Sequence, residues 1–178
     1  QFIVDNKAGS GGNIGTDAIA HSTPDGYTIG LYTIASQSIA PTLYTRLPFD
    51  VNKDFTAVSM MWSVCNMLMV RLELPAKTVP ELIALLKASP GKYTFASSGA
   101  GTTPHLAAEL FRRMAGVEIV RISYKAVGPG LNDLIAGHMQ VMFATAASSS
   151  PHVKSGRLRA LAVTSAQPSV LLPGLPTI

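Results

Sequence analysis

Residues 92–116 read KYTFASSGAGTTPHLAAELFRRMAG, and the fold prediction starts from this stretch. Residues 92–97 favour a strand, and a glycine-rich polar turn follows at residues 99–103. Pro104 suits the first turn of a helix and Gly116 suits the position that ends one, which predicts a helix from Pro104 to about Ala115. The stretch therefore contains a strand, a tight turn of small residues and a helix in direct succession.

The same succession occurs near residues 9–15 and 126–131. The clearest helix is predicted over residues 78–89, where Thr78 and Glu81 have capping-box spacing. Alternation of strands and helices indicates an α/β fold with a mostly parallel sheet. Further strands are predicted at residues 2–4 and 27–34, within 55–70, and at 118–123, 139–143 and 158–164. Further helices are predicted at residues 14–20, 128–136 and 151–154. A turn is predicted at residues 23–26, and irregular structure is predicted at 40–48 and in the tail, 168–178.

Length and composition exclude several classes of protein. The 178 residues suit one to one and a half ordinary domains. Hydrophobic residues make up 47% and charged residues only 13%, with a mean hydropathy of +0.29. Intrinsic disorder is excluded because disordered chains are poor in apolar residues and rich in charge. No collagen or coiled-coil period is present.

The basic charge does not indicate a nucleic-acid partner. The chain has 14 basic and 10 acidic residues, a net charge of +4, but its positive charges are thinly spread rather than gathered on a stripe. Cys65 is the single cysteine and lies in an apolar run, which predicts a buried thiol. Without cysteine pairs or histidines at ligand spacing, no disulfide, metal site or cofactor is predicted.

No membrane span or signal peptide is predicted within this sequence. The longest uncharged apolar run, residues 55–70, is shorter than the ~20 residues that a helical span needs. We interpret it as one or two buried strands. The sequence begins in a predicted strand and shows no secretory signal, and a mature secreted chain would look the same.

Five loops are predicted to follow the carboxyl ends of the strands, where α/β sheets bind ligands. None of them contains Asp or Glu. They offer hydroxyls, amides and backbone N–H groups, and the helix N-termini behind them favour negative charge. This pattern predicts a pocket for an anion such as a carboxylate, although small residues could also serve only to make turns and cap helices. The loops are residues 9–13, 33–38, 97–103, 124–128 and 144–148.

Nucleotide motifs are incomplete. Gly9, Gly11 and Gly15 are spaced G-x-G-x-x-x-G, whereas dinucleotide sites need G-x-G-x-x-G. A P-loop pattern is absent. The sequence therefore does not favour a nicotinamide, flavin or nucleotide site.

Catalytic motifs are also weak. His21, His138 and His152 are predicted to be solvated, whereas His105, which follows the turn at 99–103, is either a ligand contact or a capping or packing residue. The pattern G-x-S-x-G is absent, and acids are scarce at the strand ends. The scarcity of acids argues against general acid–base catalysis, and a small α/β hydrolase that uses Ser98 and His105 is kept as an alternative.

Taken together, the loops resemble those of the substrate-binding proteins of tripartite tricarboxylate transporters, known as the Bug family. The matching stretches run in family order across essentially the whole chain. They are DNKAGSGGNIG (5–15), PDGYT (24–28), LY (43–44) with LPFD (47–50), KDF (53–55), FASSGAGT (95–102), YK (124–125) and PHVKSGRLRALAVT (151–164).

The resemblance implies a periplasmic-binding-protein type II-like fold, in which two lobes joined by hinge strands close on a small carboxylate. It implies a periplasmic protein, expected to be a monomer, that delivers the carboxylate to a membrane permease. Lobe one would be residues 1–70, lobe two residues 71–157, and residues 158–178 a return hinge strand with the start of the C-terminal part of lobe one. Family members have a further strand, loop and helix before the matched region, so lobe one is expected to be incomplete here.

The resemblance also implies that backbone amides and hydroxyls hold the carboxylate, partly through water. Many family members have Asp-Asn after the strand that matches residues 139–143, where this chain has Ala144 and Thr145. We therefore expect a carboxylate without an α-amino group. A sensor that presents the ligand to a two-component receptor is an alternative. The implied site residues are Gly12, Asn13, Thr33, Ser36 and Gln37 from lobe one; Ser98, Gly99, Gly101, Thr102, Thr103, Lys125, Ala126, Val127 and Gly128 from lobe two; and Thr145 at their junction.

Overall fold

A five-stranded sheet lies at the centre of the computed structural model, which describes residues 1–169 and 172–178. The predicted irregular tail includes residues 170 and 171, which lie outside the described residues. The strands are β1 (Asn66–Arg71), β2 (Thr94–Ser98), β3 (Val120–Tyr124), β4 (Val141–Thr145) and β5 (Leu158–Val163). The helices are α1 (Asn13–Ala20), α2 (Ala40–Leu43), α3 (Val79–Ala88), α4 (Thr103–Ala115), α5 (Val127–Ala136) and α6 (Ala146–Lys154). A 3₁₀ turn at Ser10–Gly12 precedes α1, and a π-helical turn at Ala35–Ile39 precedes α2.

The sheet is mixed, and four of its strands point the same way. Its order is β3-β2-β4-β1-β5. β2 pairs parallel to both β3 and β4, whereas β1 pairs antiparallel to both β4 and β5. The prediction of an α/β fold is therefore confirmed, and β1 is the strand that departs from a parallel arrangement.

Helices cover both faces of the sheet, and alternate strand residues point into two cores. Leu68 and Val70 join Phe95 and Phe143 on the face that α3 and α4 cover. Met67, Met69 and Met142 point to the opposite face, against α5 and α6. This two-residue alternation on a sheet with both faces buried explains the near-continuous apolar runs of β1 and β4.

Local signals set the helix boundaries well. The Thr78 hydroxyl accepts the Glu81 N–H at 3.3 Å at the start of α3, and the Glu81 carboxylate accepts the Lys77 N–H at 2.7 Å. Gly116 ends α4 in the left-handed conformation, with φ at 60°. The predicted helices after residues 78, 103 and 127 are confirmed to within two residues, and α6 is longer than predicted because it begins at Ala146.

Within residues 55–70, where one or two buried strands are predicted, one buried strand is confirmed as β1. The strands predicted at residues 2–4 and 27–34 are wrong. Residues 2–4, 27–34 and 55–65 contain no strand, and their apolar side chains are largely exposed, with Phe2 95% and Tyr27 93% accessible. A strand is stable only when its backbone groups pair with a neighbour, and no described segment pairs with these residues. The predicted irregular stretch at 40–48 is corrected as well, because it begins with α2.

Local packing still orders part of the N-terminal third. Tyr32, Phe49 and Phe55 form an edge-to-face cluster with ring centroids 4.9 and 5.8 Å apart, and Phe49 is buried. α1 forms over nearly the predicted range. The N-terminal third therefore has ordered helical turns and one aromatic cluster but no sheet of its own among the described residues.

In the described part of the chain, no helix combines the length and the apolar character that crossing a bilayer requires. Residues 1–169 and 172–178 contain no group of three His, Cys, Asp or Glu side chains that could hold a metal ion. Cys65 is half-buried just before β1, so the prediction of a fully buried thiol is too strong.

Two leucines give a matched test of the core. Leu86 on α3 is fully buried against β-strand residues, whereas Leu110 on α4 is 58% exposed. Leu86→Ala should lower the free energy of unfolding by about 2–5 kcal/mol, because it removes buried methyl groups and leaves a cavity. Leu110→Ala should change it by less than about 0.5 kcal/mol. Equal losses in urea denaturation would contradict the assignment of the core.

Candidate functional site

Three helices begin at one edge of the sheet. Because β2, β3 and β4 are parallel neighbours, their carboxyl ends reach the same edge, where Ser98 pairs in register with Tyr124. α4 begins five residues after β2 ends, α5 three residues after β3 ends, and α6 directly after β4. We call this the carboxyl edge. The positive ends of three helix dipoles therefore meet there.

The helix starts at the carboxyl edge are open. In the structure as described, no side chain caps α4, α5 or α6, and their first turns hold no acidic residue. α3 begins at the opposite edge and provides the contrast, because Thr78 caps it and Glu81 lies in its first turn. Uncapped N–H groups in a positive field bind anions.

The loop at residues 99–102 is held in a tight conformation. Gly99 and Gly101 have φ of 60° and 77°, which side chains rarely tolerate. The Gly99 N–H donates to the Tyr124 carbonyl at 3.0 Å. The Thr102 hydroxyl bonds back to the Gly99 carbonyl at 3.1 Å and to the Ser98 carbonyl. The Thr102 hydroxyl therefore shapes the loop from within.

His105 holds the same loop from α4. Its Nδ1 accepts the Gly101 N–H at 3.2 Å, and its Nε2 lies 4.0 Å from Glu109 Oε1. Burial and the nearby positive charge of Arg121 lower the pKa of His105, and Glu109 opposes this shift. The ring is therefore neutral at neutral pH, and both of its nitrogens face partners other than Ser98.

The N-terminal segments reach the carboxyl edge as well. A Cβ on Gly11 would lie 3.1 Å from the Ala100 carbonyl oxygen, and a Cβ on Gly99 would lie 3.6 Å from the Gly11 backbone nitrogen. The Tyr44 hydroxyl donates to the Ala100 carbonyl at 3.4 Å. The 3₁₀ turn at Ser10–Gly12 also touches the π-helical turn at Ala35–Ile39. The predicted loops at residues 9–13 and 33–38 therefore lie close to the loop at residues 99–102.

Two predicted site residues carry buried polar atoms without partners. Asn13 is 7% exposed, and neither its Oδ1 nor the Nε2 of Gln37 has a hydrogen-bond partner among the described residues. An unpaired buried polar atom costs about 1–3 kcal/mol. Both side chains belong to the turns that approach the 99–102 loop, so a polar ligand or its water is the natural partner for them.

The stretch from Lys125 to Gly128 lies at the same edge but is more open. Lys125, Ala126 and Gly128 are exposed, and a Cβ on Gly128 would meet open space in the part that the structure describes. The Tyr124 hydroxyl, at the end of β3, donates to the Asp133 carboxylate in the second half of α5 at 2.6 Å and fastens this helix to the strand. Burial, together with this bond, raises the pKa of Tyr124 to about 12.

The remaining predicted residues occupy the edge in different ways. Ser36 is buried, and its hydroxyl donates a hydrogen bond to the Thr33 carbonyl at 3.3 Å, whereas Thr33 itself is exposed. The Thr145 hydroxyl lies 2.9 Å from that of Ser148 within the first turn of α6. Ser98 is buried, and Gly12, Thr103 and Val127 lie at or just before the starts of α1, α4 and α5.

Sequence reasoning missed three contributors to this edge. The sequence left His105 as either a ligand contact or a capping or packing residue. Its bond to Gly101 depends on the geometry of the turn. Tyr44 and Gly11 were not proposed, although both lie in stretches that match the family. Their contacts with Ala100 span 56 and 89 positions of sequence, and no local signal reports such pairs.

Other histidines and surface grooves lie away from this edge. His21 and His138 are exposed beside Asp17 and Asp133, as predicted. The prediction of a solvated His152 is wrong in part, because its Nδ1 is enclosed. A groove of about 480 Å³ lies beside α6 and β5, and one of about 800 Å³ lies along α4.

Comparison with known proteins shows the family of the chain. The family model for the "Tripartite tricarboxylate transporter family receptor" matches residues 1–178. Protein BugT of Bordetella pertussis is 38% identical over 181 residues, which cover 99% of this chain and 54% of BugT. The chain thus spans about half the length of this relative.

Solved structures show the same fold. The structure of Rpa4515 from R. palustris with adipate has a TM-score of 0.96 and 35% identity, covering all of this chain and 60% of that one. The periplasmic binding protein BugD has a TM-score of 0.89 and 30% identity, covering 98% of this chain and 58% of that one.

The contact between Gly11 and Ala100 can be tested with a matched glycine. Gly11 and Gly26 both have positive φ, but only Gly11 would place a Cβ against backbone, at 3.1 Å, whereas Gly26 faces open space within the described structure. Both alanine variants should lose about 1 kcal/mol of stability from the strained φ. Gly11→Ala should in addition speed amide exchange in residues 99–101, because it forces the loops apart. Equal exchange in the two variants would show that the loops do not touch.

Proposed function

Because the chain belongs to the tripartite tricarboxylate transporter receptor family, we propose that it captures a small carboxylate at the carboxyl edge and delivers it to a membrane permease. The observation that carries this proposal is the edge itself. Three uncapped helix starts without acidic residues lie at this edge. Asn13 and Gln37, each with one buried polar atom that lacks a partner among the described residues, lie in the turns that approach its 99–102 loop.

Such an edge suits a carboxylate on physical grounds. Each carboxylate oxygen accepts two hydrogen bonds, and backbone N–H groups at helix starts donate to it in a favourable field. Charge-assisted bonds of this kind are about twice as strong as neutral ones. Recognition through backbone groups needs no arginine, which fits a site whose one predicted cation, Lys125, is exposed.

The ligand class follows from what the edge offers. The related Rpa4515 structure contains adipate, a plain dicarboxylate. The five loops of the carboxyl edge and its N-terminal partners contain no acid, so an α-ammonium group would lose its hydration without gaining an anionic partner. A dicarboxylate without an amino group therefore fits best.

The path of the chain supports two lobes that move against each other. β1 begins and β5 ends at the carboxyl edge, so both connections to the remaining residues cross beside the proposed ligand. Backbone and side-chain bonds between Asn66 and Thr164, at 2.9 and 3.1 Å, tie the two crossing segments together. We propose them as the hinge, with lobes at residues 1–70 and 71–157 and the return at 158–178.

Location and partners follow the family. The structural relative BugD is described as a periplasmic binding protein, and we propose a periplasmic monomer for this protein. A sensor that contacts a two-component receptor remains the second candidate. Pull-down from membranes, with and without adipate, separates the two by the partner that is captured. Turnover by Ser98 and His105 is not favoured, because both ring nitrogens of His105 face other groups.

Two amides test the ligand site directly. Asn13→Ala and Gln37→Ala should each weaken adipate binding about fivefold to tenfold, since each removes one hydrogen bond to the ligand or its water. Asn132→Ala and Gln167→Ala, at exposed positions, are the matched controls and should bind normally. Isothermal titration calorimetry on the full-length protein measures the affinities. Unchanged binding in both site variants would place the ligand elsewhere.

A pair of ligands tests the acid-free edge. Adipate and 2-aminoadipate differ by one ammonium group, and the protein should bind adipate at least about tenfold more tightly, because the ammonium is desolvated without a partner. Calorimetry with both ligands on one protein sample measures the ratio. Tighter binding of 2-aminoadipate would contradict the proposed ligand class.

A further inference from the structure

His105 is placed to control the loop that touches both the proposed ligand and the N-terminal segments. We propose that neutral His105 is a positioning residue that holds the 99–102 loop in its binding conformation, and that protonation of its imidazole releases the loop and the carboxylate. This inference rests on the proposed function, because it concerns the regulation of the same site.

The geometry assigns the state of the ring. The Gly101 N–H points at Nδ1 across 3.2 Å, so Nδ1 must be the unprotonated acceptor and the single proton of the neutral ring lies on Nε2. The His105 side chain is only 13% exposed. When a second proton arrives at Nδ1, two donors face each other, and the Gly101 N–H loses its acceptor inside the structure.

The charges around the ring do not favour the protonated form. Arg121 reaches it from β3, and the buried Nε of Arg121 has no partner among the described residues. Glu109 faces it from α4, but Arg112 already holds the Glu109 carboxylate at 2.8 Å. His105 also lies in the first turn of α4, where the helix dipole repels a cation.

Release of the 99–102 loop would directly alter the ligand site, because the loop packs on the N-terminal segments there. A Cβ on Gly101 would lie 2.6 Å from the Leu43 side chain, and the neighbouring Ala100 carbonyl accepts the Tyr44 hydroxyl. The bond from His105 therefore fixes Gly101, a residue through which the loop packs on α2. A loop that leaves this position also withdraws the open start of α4 from the ligand.

The direction of the pH effect follows from the lowered pKa of His105. Its ordinary value is 6.5, and in the folded protein burial, followed by Arg121, holds it below that value. As the pH falls, His105 therefore takes up its second proton in the unfolded chain before it does so in the folded protein. The contribution of neutral His105 to the stability of the fold is complete above pH 6.5 and is lost as the pH falls through the pKa of His105 in the folded protein.

Three variants distinguish the hydrogen bond by which His105 positions the 99–102 loop from the protonation of its imidazole. His105→Asn keeps an acceptor near the position of Nδ1 and cannot be protonated; His105→Ala has no acceptor; and His138→Asn replaces an exposed histidine as the control. Calorimetry with adipate from pH 8 to pH 5 measures affinity. The ratio of wild-type to His105→Asn affinity cancels the ionisation of adipate itself.

The wild type should bind like His105→Asn at pH 8 and progressively more weakly than that variant as the pH falls below 6.5, by about fivefold once the imidazole is protonated. His105→Ala should be weaker by about fivefold at every pH, and His138→Asn should follow the wild type. A wild-type to His105→Asn ratio that does not change with pH overturns the release by protonation. Binding by His105→Ala equal to the wild type at pH 8 overturns the positioning role.

Amide exchange in the ligand-free protein keeps the inference testable whatever the ligand is. The wild type and His105→Asn are compared at the same pH. At pH 8 the Gly101 amide should exchange equally slowly in both proteins, and at pH 5 it should exchange faster in the wild type than in His105→Asn. Equal exchange at both pH values overturns the inference. If no variant binds adipate but the exchange differs as expected, the proposed ligand fails while the role of His105 stands.

Discussion

The parallel pairing of β2 with both β3 and β4 is the constraint on which the rest of the structure depends. It brings three carboxyl ends to one edge, and three helices begin there without caps or acidic residues. Had β4 run the other way, α6 would begin at the far edge and the positive field would be lost. The contrast with α3, which is capped and begins at the opposite edge, shows that the open starts are confined to the side where β2, β3 and β4 end.

The second feature of this edge is its dependence on contacts between distant segments. The 99–102 loop is held from within by Thr102, from β3 through Gly99, from α4 by His105 and from the N-terminal third by Tyr44. In each of these bonds the loop contributes a backbone N–H or carbonyl group, so the glycines are needed for close approach rather than for freedom of movement. A carboxylate bound here would complete a network that already has unpaired members in Asn13 and Gln37.

Much of the fold and part of the candidate site were predictable from local pattern. Helices α3, α4 and α5 begin and end near the predicted residues, because capping residues, proline and glycine act over a few positions. The predicted strands at 2–4 and 27–34 are absent because β-propensity reports suitability for pairing, whereas a strand also needs a partner. Antiparallel β1 was not predicted either, since a buried strand has the same composition in both directions.

The sequence alone determined the α/β class, the family, the positions of the helix starts and the absence of acids from the loops that follow the strands. These are properties of short windows, in which a residue and its neighbours decide the outcome. Only the tertiary structure decided that Gly11 and Tyr44 meet Ala100, and that Asn13 and Gln37 are left with polar atoms that have no partner among the described residues. Contacts between segments more than fifty residues apart depend on how the strands are ordered and how the helices cross them, and the local sequence does not encode that order.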